Sequence, residues 1–237
     1  KEIKKRLKLI QEMGGKEKIK RQYDAGRTTV RERIFALVDK GSFKEIGRLT
    51  GLSEYNEDGT LKSLMAVNSV IGHALINKVP TVIYGDDFTI RGGAGDAAIY
   101  EKMITAERFA NEYRMPLIRL IEGTGGGGSV KSIEADGYTY VPANPGWDWV
   151  VSNMATIPVV SLGLGPVAGL GAARLVSSHY SVIVKKMSQV FVAGPPVVNR
   201  LGETVTKESL GGSEIHGKNG VIDEVADSET DALAKAR

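Results

Sequence analysis

The sequence contains no cysteine. This absence excludes disulfide bonds, thiolate metal sites and a cysteine nucleophile. The three histidines have no partners at the spacing of metal ligands, so no metal site is predicted. No apolar run reaches the roughly 18 residues of a membrane span, and we expect no membrane partner. The chain starts at Lys1 rather than methionine, and we expect its start to be cut or processed.

Charge is unevenly distributed along the 237 residues. Residues 1–33 hold twelve Lys and Arg against five Asp and Glu, although the whole chain carries only +3. Such a segment suits an anionic partner, or it is simply a solvated helical face. Tyr23 is the one aromatic residue among these basic residues, so base stacking is poorly supported and no nucleic acid is expected. With 42% apolar residues, the chain can form one sizeable core.

The N-terminal segment is predicted to be helical. Residues 1–12 place apolar side chains at helical spacing, and a second helix is predicted to begin near Lys16. A third is predicted after Thr29, because Glu32 follows three residues later as in a capping box, and Gly41 is the expected C-cap.

The rest of the chain alternates between strands and helices. Paired strands are predicted over residues 66–76 and 78–88, and later strands over 116–123, 157–165, 181–186 and 189–194. Helices are predicted over residues 97–113, 147–156 and 168–178. Three times a strand runs into a glycine-rich corner that leads on to a helix. This order predicts an α/β fold with ligands bound at the carboxyl ends of its strands.

The stretch LIRLIEGTGGGGSV, residues 117–130, admits three interpretations. A flexible linker would be longer and richer in serine. A dinucleotide loop fits Gly-x-Gly-x-x-Gly here and a variant at Gly163, but neither match is followed by the expected strand ending in an acidic residue. Successive N–H groups of a glycine corner can also bind an anion or stabilise an enolate oxygen. Several such corners at one sheet edge favour this last interpretation.

Taken in order, several motifs resemble one family. They are GRTTVRERIFALVDKGSFKEIG, DDFTIRGGAGDAAIYEKM, LIEGTGGGGSV, VVSLGLGPVAGLGAARLVSSHYSVIVK, VFVAGPPVV and LGGSEIHGKNGV. Together they look like the carboxyltransferase (beta) subunit of biotin-dependent acyl-CoA carboxylases, with the tail nearest the methylcrotonyl- and geranyl-CoA branch. The resemblance implies a crotonase-like ββα superhelix and carboxyl transfer from carboxybiotin to an acyl-CoA.

The resemblance also implies roles for individual residues. Gly125 and Gly126 would supply oxyanion N–H groups, and the Gly-Pro-x-Ala-Gly corner would lie beside the acyl-CoA. The implied catalytic positions are Gly125, Gly126, Gly165, Ala168 and Gly169. The implied CoA-binding positions are Gly92, Gly93, Ala94, Lys102, Gly127, Lys20 and Arg21, the last two for the CoA phosphates. The sequence departs from the family's Ala-Arg after the glycine pair, where it has Gly127 and Gly128.

The resemblance further implies an incomplete site. Residues 1–45 would form a basic helical arm and residues 46–237 the acyl-CoA-binding domain, while a second, biotin-binding carboxyltransferase domain would lie outside this chain or on a separate subunit. The implied partners are that domain, biotin carboxylase and biotin carrier subunits, and further copies in a trimeric or hexameric assembly. The expected compartment is the cytoplasm, or the mitochondrial matrix in a eukaryote.

Two other functions stay open. A crotonase-type hydratase, isomerase or decarboxylase would need a general acid or base, for which Glu122, Asp86, Asp87 and Asp96 are candidates at the corners. The second open function is that of a non-catalytic subunit that binds CoA and supports assembly.

Overall fold

The computed structural model describes residues 1–95, 99–123, 134, 137 and 146–237. Three helices open the chain, α1 (Glu2–Gln11), α2 (Lys16–Asp24) and α3 (Val30–Leu37). The capping box predicted at Thr29 and Glu32 is confirmed by both of its hydrogen bonds. The C-cap predicted at Gly41 is wrong, because α3 ends at Leu37 and Val38 is its C-cap. There the backbone becomes extended, and the next N–H, that of Asp39, donates to the carbonyl of Leu75.

Most of the described strands belong to one mixed sheet. Its members are β1 (Lys44–Ile46), β4 (Ser69–Ile76), β5 (Val79–Asp86), β6 (Leu117–Gly123), β7 (Val159–Ala168), β8 (Tyr180–Val184), β9 (Gln189–Phe191) and β10 (Glu224–Ala226). The order is β1-β4-β5-β6-β7-β8-β10, with β9 pairing the far end of β7. β4 runs antiparallel to β1 and β5, whereas β5, β6, β7, β8 and β10 run parallel. The α/β class predicted from the sequence is therefore confirmed.

A hairpin outside this sheet was not predicted. β2 (Gly51–Tyr55) pairs with β3 (Leu61–Ala66) around a turn at Asp58 and Gly59. Leu64 and Ala66 pack on Ile10 of α1 and on Ile90, so the hairpin attaches the first helix to the domain.

The remaining helices of the described residues connect parallel strands or cover the sheet. They are α4 (Tyr100–Glu112), α5 (Trp147–Met154), α6 (Leu170–Val176), α7 (Pro195–Val198), α8 (Lys207–Gly211), α9 (Ser213–His216) and α10 (Glu229–Ala236). Short 3-10 turns occupy Arg91–Gly93 and Asn199–Leu201. Among the residues described, no helix is both long and apolar enough to cross a membrane.

The core has two layers, one on each face of the sheet. On one face, α3 and α10 pack against β5, β6 and β7; this cluster includes Val30, Ile34, Leu37, Ala232, Leu233, Ile83, Leu120 and Leu162. On the other face, α4 packs against the same three strands; that cluster includes Ala106, Ala110, Val82, Leu117, Ile157 and Val159. Apolar residues therefore alternate between two buried faces along each central strand, as in a covered parallel sheet.

The contact between α3 and β5 makes a testable prediction. A Cβ added at Gly85 would lie 2.5 Å from Val30 Cγ2, and valine cannot rotate away easily because it is β-branched. We expect Gly85→Ala to lower the free energy of unfolding by about 1–3 kcal/mol. Gly171→Ala is the matched control, since its Cβ would meet Ile121 and Val167 at an ordinary 3.5 Å within α6. Denaturant unfolding should show no loss, or a gain of up to about 1 kcal/mol, for this control. Equal losses in both variants would contradict the packing described.

Candidate functional site

The carboxyl ends of three neighbouring strands form one edge of the sheet. β5, β6 and β7 are parallel, so their last residues, Asp86, Gly123 and Ala168, lie at the same edge. Gly92 and Gly93 follow β5 in the turn Arg91–Gly93. The strand ends that precede the predicted glycine corners therefore lie at one edge of the sheet.

The first two corners touch through bare backbone. Gly93 has a φ of 69°, and an added Cβ would lie 2.8 Å from both Gly123 Cα and the carbonyl oxygen of Glu122. Gly92 also has a positive φ, 64°. Glycine is required here for its conformation and for its lack of a side chain. Ala94, the next residue, is buried, and its carbonyl accepts a hydrogen bond from Asn68 Nδ2 at 2.8 Å.

The third corner is built differently from its prediction. Gly163 and Gly165 lie inside β7 rather than in a loop, so the Gly-x-Gly-x-x-Ala match is not a phosphate loop. The chain turns at Gly169, with φ 55° and ψ −123°, and α6 begins there. The N–H of Gly169 donates to the carbonyls of Phe191 and Val192, each at 3.1 Å. Gly169 thus contributes a backbone conformation, and its own N–H is already engaged.

Part of the predicted site lies outside the described residues. Gly125, Gly126 and Gly127 fall in this part of the chain, as does Asp96. The structure places Gly123, the residue from which that glycine stretch departs, beside Val167 of β7.

A buried group of charges lies directly beneath this edge. It consists of Arg27, Arg33, Glu122 and Glu229, together with the neutral Gln22. Glu122 Oε2 accepts hydrogen bonds from Arg33 Nη1 at 2.5 Å and from Gln22 Nε2 at 2.7 Å. Arg27 Nε lies 3.1 Å from Glu122 Oε1. Glu122 is 0% exposed, so these neighbours replace the water that would otherwise solvate its side chain.

Arg33 joins three parts of the chain. Besides Glu122, it donates to Glu229 of α10 and to the carbonyl oxygen of Leu164 in β7, the latter at 2.9 Å. Burial opposes the charge of Arg33, but Glu122 and Glu229 outweigh it and raise the pKa of the guanidinium above its ordinary value. Arg33 is therefore a permanent cation in the interior.

A second buried network occupies the opposite face of the sheet. Glu107 of α4 accepts two hydrogen bonds from Arg119 at 2.8 and 2.9 Å, and one from Arg174 at 3.1 Å. Arg174 also lies over the ring of Tyr84, 4.1 Å from its centre. This network fixes α4 and α6 to the sheet behind the edge.

Asp86 lies at the end of β5 between the two networks. Its carboxylate accepts hydrogen bonds from the Tyr84 hydroxyl at 2.5 Å and from the N–H of Glu122 at 3.2 Å. Burial raises the pKa of Asp86 to about 6, although Arg174 and these hydrogen bonds act in the opposite direction. Asp86 is consequently a carboxyl group that changes charge near neutral pH.

The predicted CoA-binding lysines have unlike surroundings. Lys102 is buried, and its Nζ donates to the carbonyl of Ser69 at 2.8 Å. Burial lowers the pKa of Lys102 to about 8, against the opposing effect of Glu45. A phosphate could reach Lys102 only if this packing opened. Lys20 and Arg21 are exposed on α2, and Lys20 pairs with Asp24 at 2.6 Å.

A groove of about 740 Å³ opens beside the first corner. It runs between α1, the start of α2, β3 and the segment Thr89–Arg91; its lining includes Leu9, Met13, Lys18, Leu64, Met65 and Arg91. Gly14 fixes one wall, because its N–H donates to Thr89 Oγ1 at 2.9 Å. The volume lies in the range of small-molecule sites.

Comparisons with known proteins identify a family. The profile described as "Carboxyl transferase domain" matches residues 21–237. The chain is 31% identical over 245 residues to the mitochondrial methylcrotonoyl-CoA carboxylase beta chain of Dictyostelium discoideum, covering 100% of this chain and 40% of that protein. It is 33% identical over 235 residues to the probable counterpart in Drosophila melanogaster, covering 94% of this chain and 38% of that protein. The chain therefore spans less than half the length of these relatives.

A solved structure confirms the fold. Transcarboxylase 12S, crystallised as a hexamer with methylmalonyl-coenzyme A and methylmalonic acid bound, superimposes with a TM-score of 0.80. The match covers 99% of this chain and 45% of that one, at 24% sequence identity. The crotonase-like fold expected from the motifs is confirmed by this similarity.

The sequence contains a further signal, which points to the buried arginine of α3. Val30, Arg33, Ile34 and Leu37 recur at the spacing of one helical face. A single arginine on an otherwise apolar face must find a buried acidic partner. Glu122, which ends an apolar strand, is such a partner.

The pKa of Asp86 makes a prediction about stability. Below its unfolded pKa of about 3.8 the group is protonated in both states and contributes nothing. Between pH 3.8 and about pH 6 the unfolded state ionises more readily than the folded state, so Asp86 lowers the free energy of unfolding increasingly as pH rises. Above about pH 6 this loss reaches its full size. The free energy of unfolding of Asp86→Asn, relative to wild type, should thus be higher at pH 7.5 than at pH 4.5 by about 2 kcal/mol.

Urea unfolding at the two pH values measures this difference. Asp58→Asn is the control, because hydrogen bonds from Thr60 lower the pKa of the exposed Asp58. Both pH values lie above the ordinary pKa of 3.8, so this carboxylate is largely ionised in both states and Asp58→Asn should differ from wild type by nearly the same amount at each pH. A difference between wild type and Asp86→Asn that does not vary with pH would contradict the assignment.

Proposed function

This chain belongs to the carboxyl transferase domain family, and we propose that it supplies the acyl-CoA half of a carboxyltransferase site. The reaction moves a carboxyl group from carboxybiotin to the α- or γ-carbon of an acyl-CoA. Carboxybiotin supplies the carboxyl group and, once CO2 has left it, the nitrogen that takes the proton from the acyl-CoA. Everything else required of the site is binding, orientation and stabilisation of an enolate.

One observation carries the proposal. Three parallel strands end at one edge in glycine corners, and Gly93 packs on Gly123 with no room for a side chain between them. Backbone can approach a thioester closely where side chains are absent. N–H groups fixed at such a place stabilise the negative charge that develops on the enolate oxygen, and their orientation costs nothing during the reaction.

The proposed roles follow the geometry of the edge. Gly125 and Gly126, which depart from the end of β6, are proposed as the N–H donors to the enolate oxygen. Gly165, Ala168 and Gly169 are proposed to shape the neighbouring wall, Gly169 through its left-handed conformation. No residue of this chain is proposed as the general base, since carboxybiotin would supply the proton acceptor.

CoA is proposed to lie along the first corner. Gly92, Gly93 and Ala94 would line its path, together with Gly127, and the adjacent groove of about 740 Å³ has room for part of the cofactor. Exposed Lys18, Lys20 and Arg21 suit the phosphates electrostatically. The buried position of Lys102 gives it a support role for α4 in the resting fold.

The assembly is also part of the proposal. Relatives more than twice as long as this chain support a second carboxyltransferase domain, in the same polypeptide or on another subunit, that receives carboxybiotin. Biotin carboxylase and carrier subunits would complete the enzyme, and several copies would associate, as in the transcarboxylase hexamer. The proposed compartment is the cytoplasm, or the mitochondrial matrix in a eukaryote.

Residues 1–45 are proposed as a basic arm and residues 46–237 as the acyl-CoA-binding domain. The buried contacts of Arg33 with Glu122 and Glu229 mean that this arm would be part of the domain's core and would not swing freely.

Calorimetry on the full-length protein tests the binding half of the proposal. CoA and 3-methylcrotonyl-CoA should bind, and their affinity should fall as salt rises because phosphates contact exposed cations. The combined change Lys20→Gln and Arg21→Gln should weaken binding and reduce the dependence on salt. Lys62→Gln, which removes an exposed cation of β3, should change neither. NADP binding without CoA binding would overturn the proposal in favour of a dinucleotide site.

The assembled enzyme tests the chemical half. A carboxylated acyl-CoA should lose its carboxyl group only when biotin is present to accept it, which is the transfer in reverse. Loss of the carboxyl group without biotin would indicate a decarboxylase. CoA binding with no transfer in the complete assembly would indicate a non-catalytic subunit.

A further inference from the structure

β6 and β7 lose their regular register at the site edge. Ile121 pairs with Gly163, but Gly123 pairs with Val167. One residue of β6, Glu122, therefore faces three residues of β7, Leu164, Gly165 and Pro166. Bulges of this kind redirect a strand and are frequent beside active sites. Here the bulge determines which residues of β7 arrive next to Gly123.

The side chain of Glu122 fills the space that the bulge creates. A Cβ added at Gly165 would lie 2.5 Å from Glu122 Oε1, so the carboxylate packs directly on the glycine backbone. Arg33 holds the same bulge from the other side, through its hydrogen bond to the carbonyl oxygen of Leu164 at 2.9 Å. Carboxylate and guanidinium are themselves joined at 2.5 Å. The pair therefore fixes both the first and the second residue of the bulge.

The charges around the bulge are balanced and shielded from water. Arg27 and Arg33 face Glu122 and Glu229, and both Arg33 and Glu122 are at most 1% exposed. In such surroundings a charge left without its partner cannot be rescued by solvent. Movement of either side chain would leave an unpaired ion, so the pair resists displacement more strongly than apolar packing would.

We propose that Glu122 and Arg33 are positioning residues for carboxyl transfer. They hold the β7 bulge, and through it they hold the Val167–Gly169 corner at a fixed distance from Gly123 at the end of β6. This inference rests on the proposed function. Neither side chain touches the reacting atoms; each acts through the backbone that it holds.

Glu122→Gln tests the inference against a matched control, Glu107→Gln. Both changes remove the charge of a carboxylate that is at most 1% exposed and paired with arginine, but Glu107 lies on the other face of the sheet. Glu122→Gln should lower kcat for biotin-dependent transfer by about 10- to 100-fold, the usual cost of a misplaced reacting group. KM for the acyl-CoA should change by less than about twofold, because groups remote from the bulge bind CoA. Glu107→Gln should leave kcat unchanged, because Glu107 contacts α6 at Arg174 and contacts neither the bulge nor Gly169.

Hydrogen exchange supplies a readout that does not depend on activity. In the full-length protein, the amides of residues 164, 165 and 167–169 should exchange faster in Glu122→Gln and at the wild-type rate in Glu107→Gln. If Glu122→Gln does not fold, Gln22→Met removes a single donor to the same carboxylate and should change kcat and exchange in the same direction, by less.

Two outcomes overturn different claims. If the wild-type protein shows no transfer activity, the proposed function is overturned. Hydrogen exchange then still tests whether Glu122 holds the bulge. An active wild type whose Glu122→Gln variant, or Gln22→Met in its place, retains wild-type kcat and wild-type exchange overturns the positioning role.

Discussion

The ion pair between Arg33 and Glu122 is the interaction on which the rest of the structure depends. It joins a helix near the N-terminus to the end of a central strand, and Glu229 extends it to the last helix. Removing one partner of a buried pair commonly costs about 3–5 kcal/mol, because the other charge stays buried and unpaired. An electrostatic constraint of this strength, placed directly beneath the glycine corners, ties global stability to the geometry of the site.

The site itself follows from elementary properties of parallel strands. Parallel neighbours must end at the same edge, so three strand–corner–helix units bring their corners together whatever the sequence of the helices. What the sequence adds is glycine. Gly93 lies against Gly123 at a distance that no side chain allows, and Gly169 turns the chain in a conformation that other residues avoid. The corners lie close together because glycine has no side chain. The groups that they present to a ligand are therefore backbone N–H and C=O groups.

Local signals predicted the local structure. The capping box at Thr29 and the alternating or apolar strands were recognisable because each depends on residues close together in sequence. The hairpin of β2 and β3 was missed, since β2 is short and has no buried residue, and the buried residues of β3 do not alternate regularly with exposed ones. Gly41 failed as a C-cap because pairing of Asp39 with Leu75, distant in sequence, ends the helix earlier. The site also depends on contacts between residues distant in sequence. The apolar face of α3 with its one arginine predicts a buried acidic partner, but it does not identify that partner.

Vibrational spectroscopy of the bound substrate tests the central claim most directly. An acyl-CoA with a 13C-labelled thioester carbonyl is bound to the full-length protein, and the frequency of its C=O stretch is measured by infrared difference spectroscopy. The account predicts a lower frequency than in water, because fixed backbone N–H groups at the sheet edge polarise the carbonyl towards an enolate. A carbonyl frequency equal to that of free acyl-CoA would contradict the claim that these glycine corners form an oxyanion site.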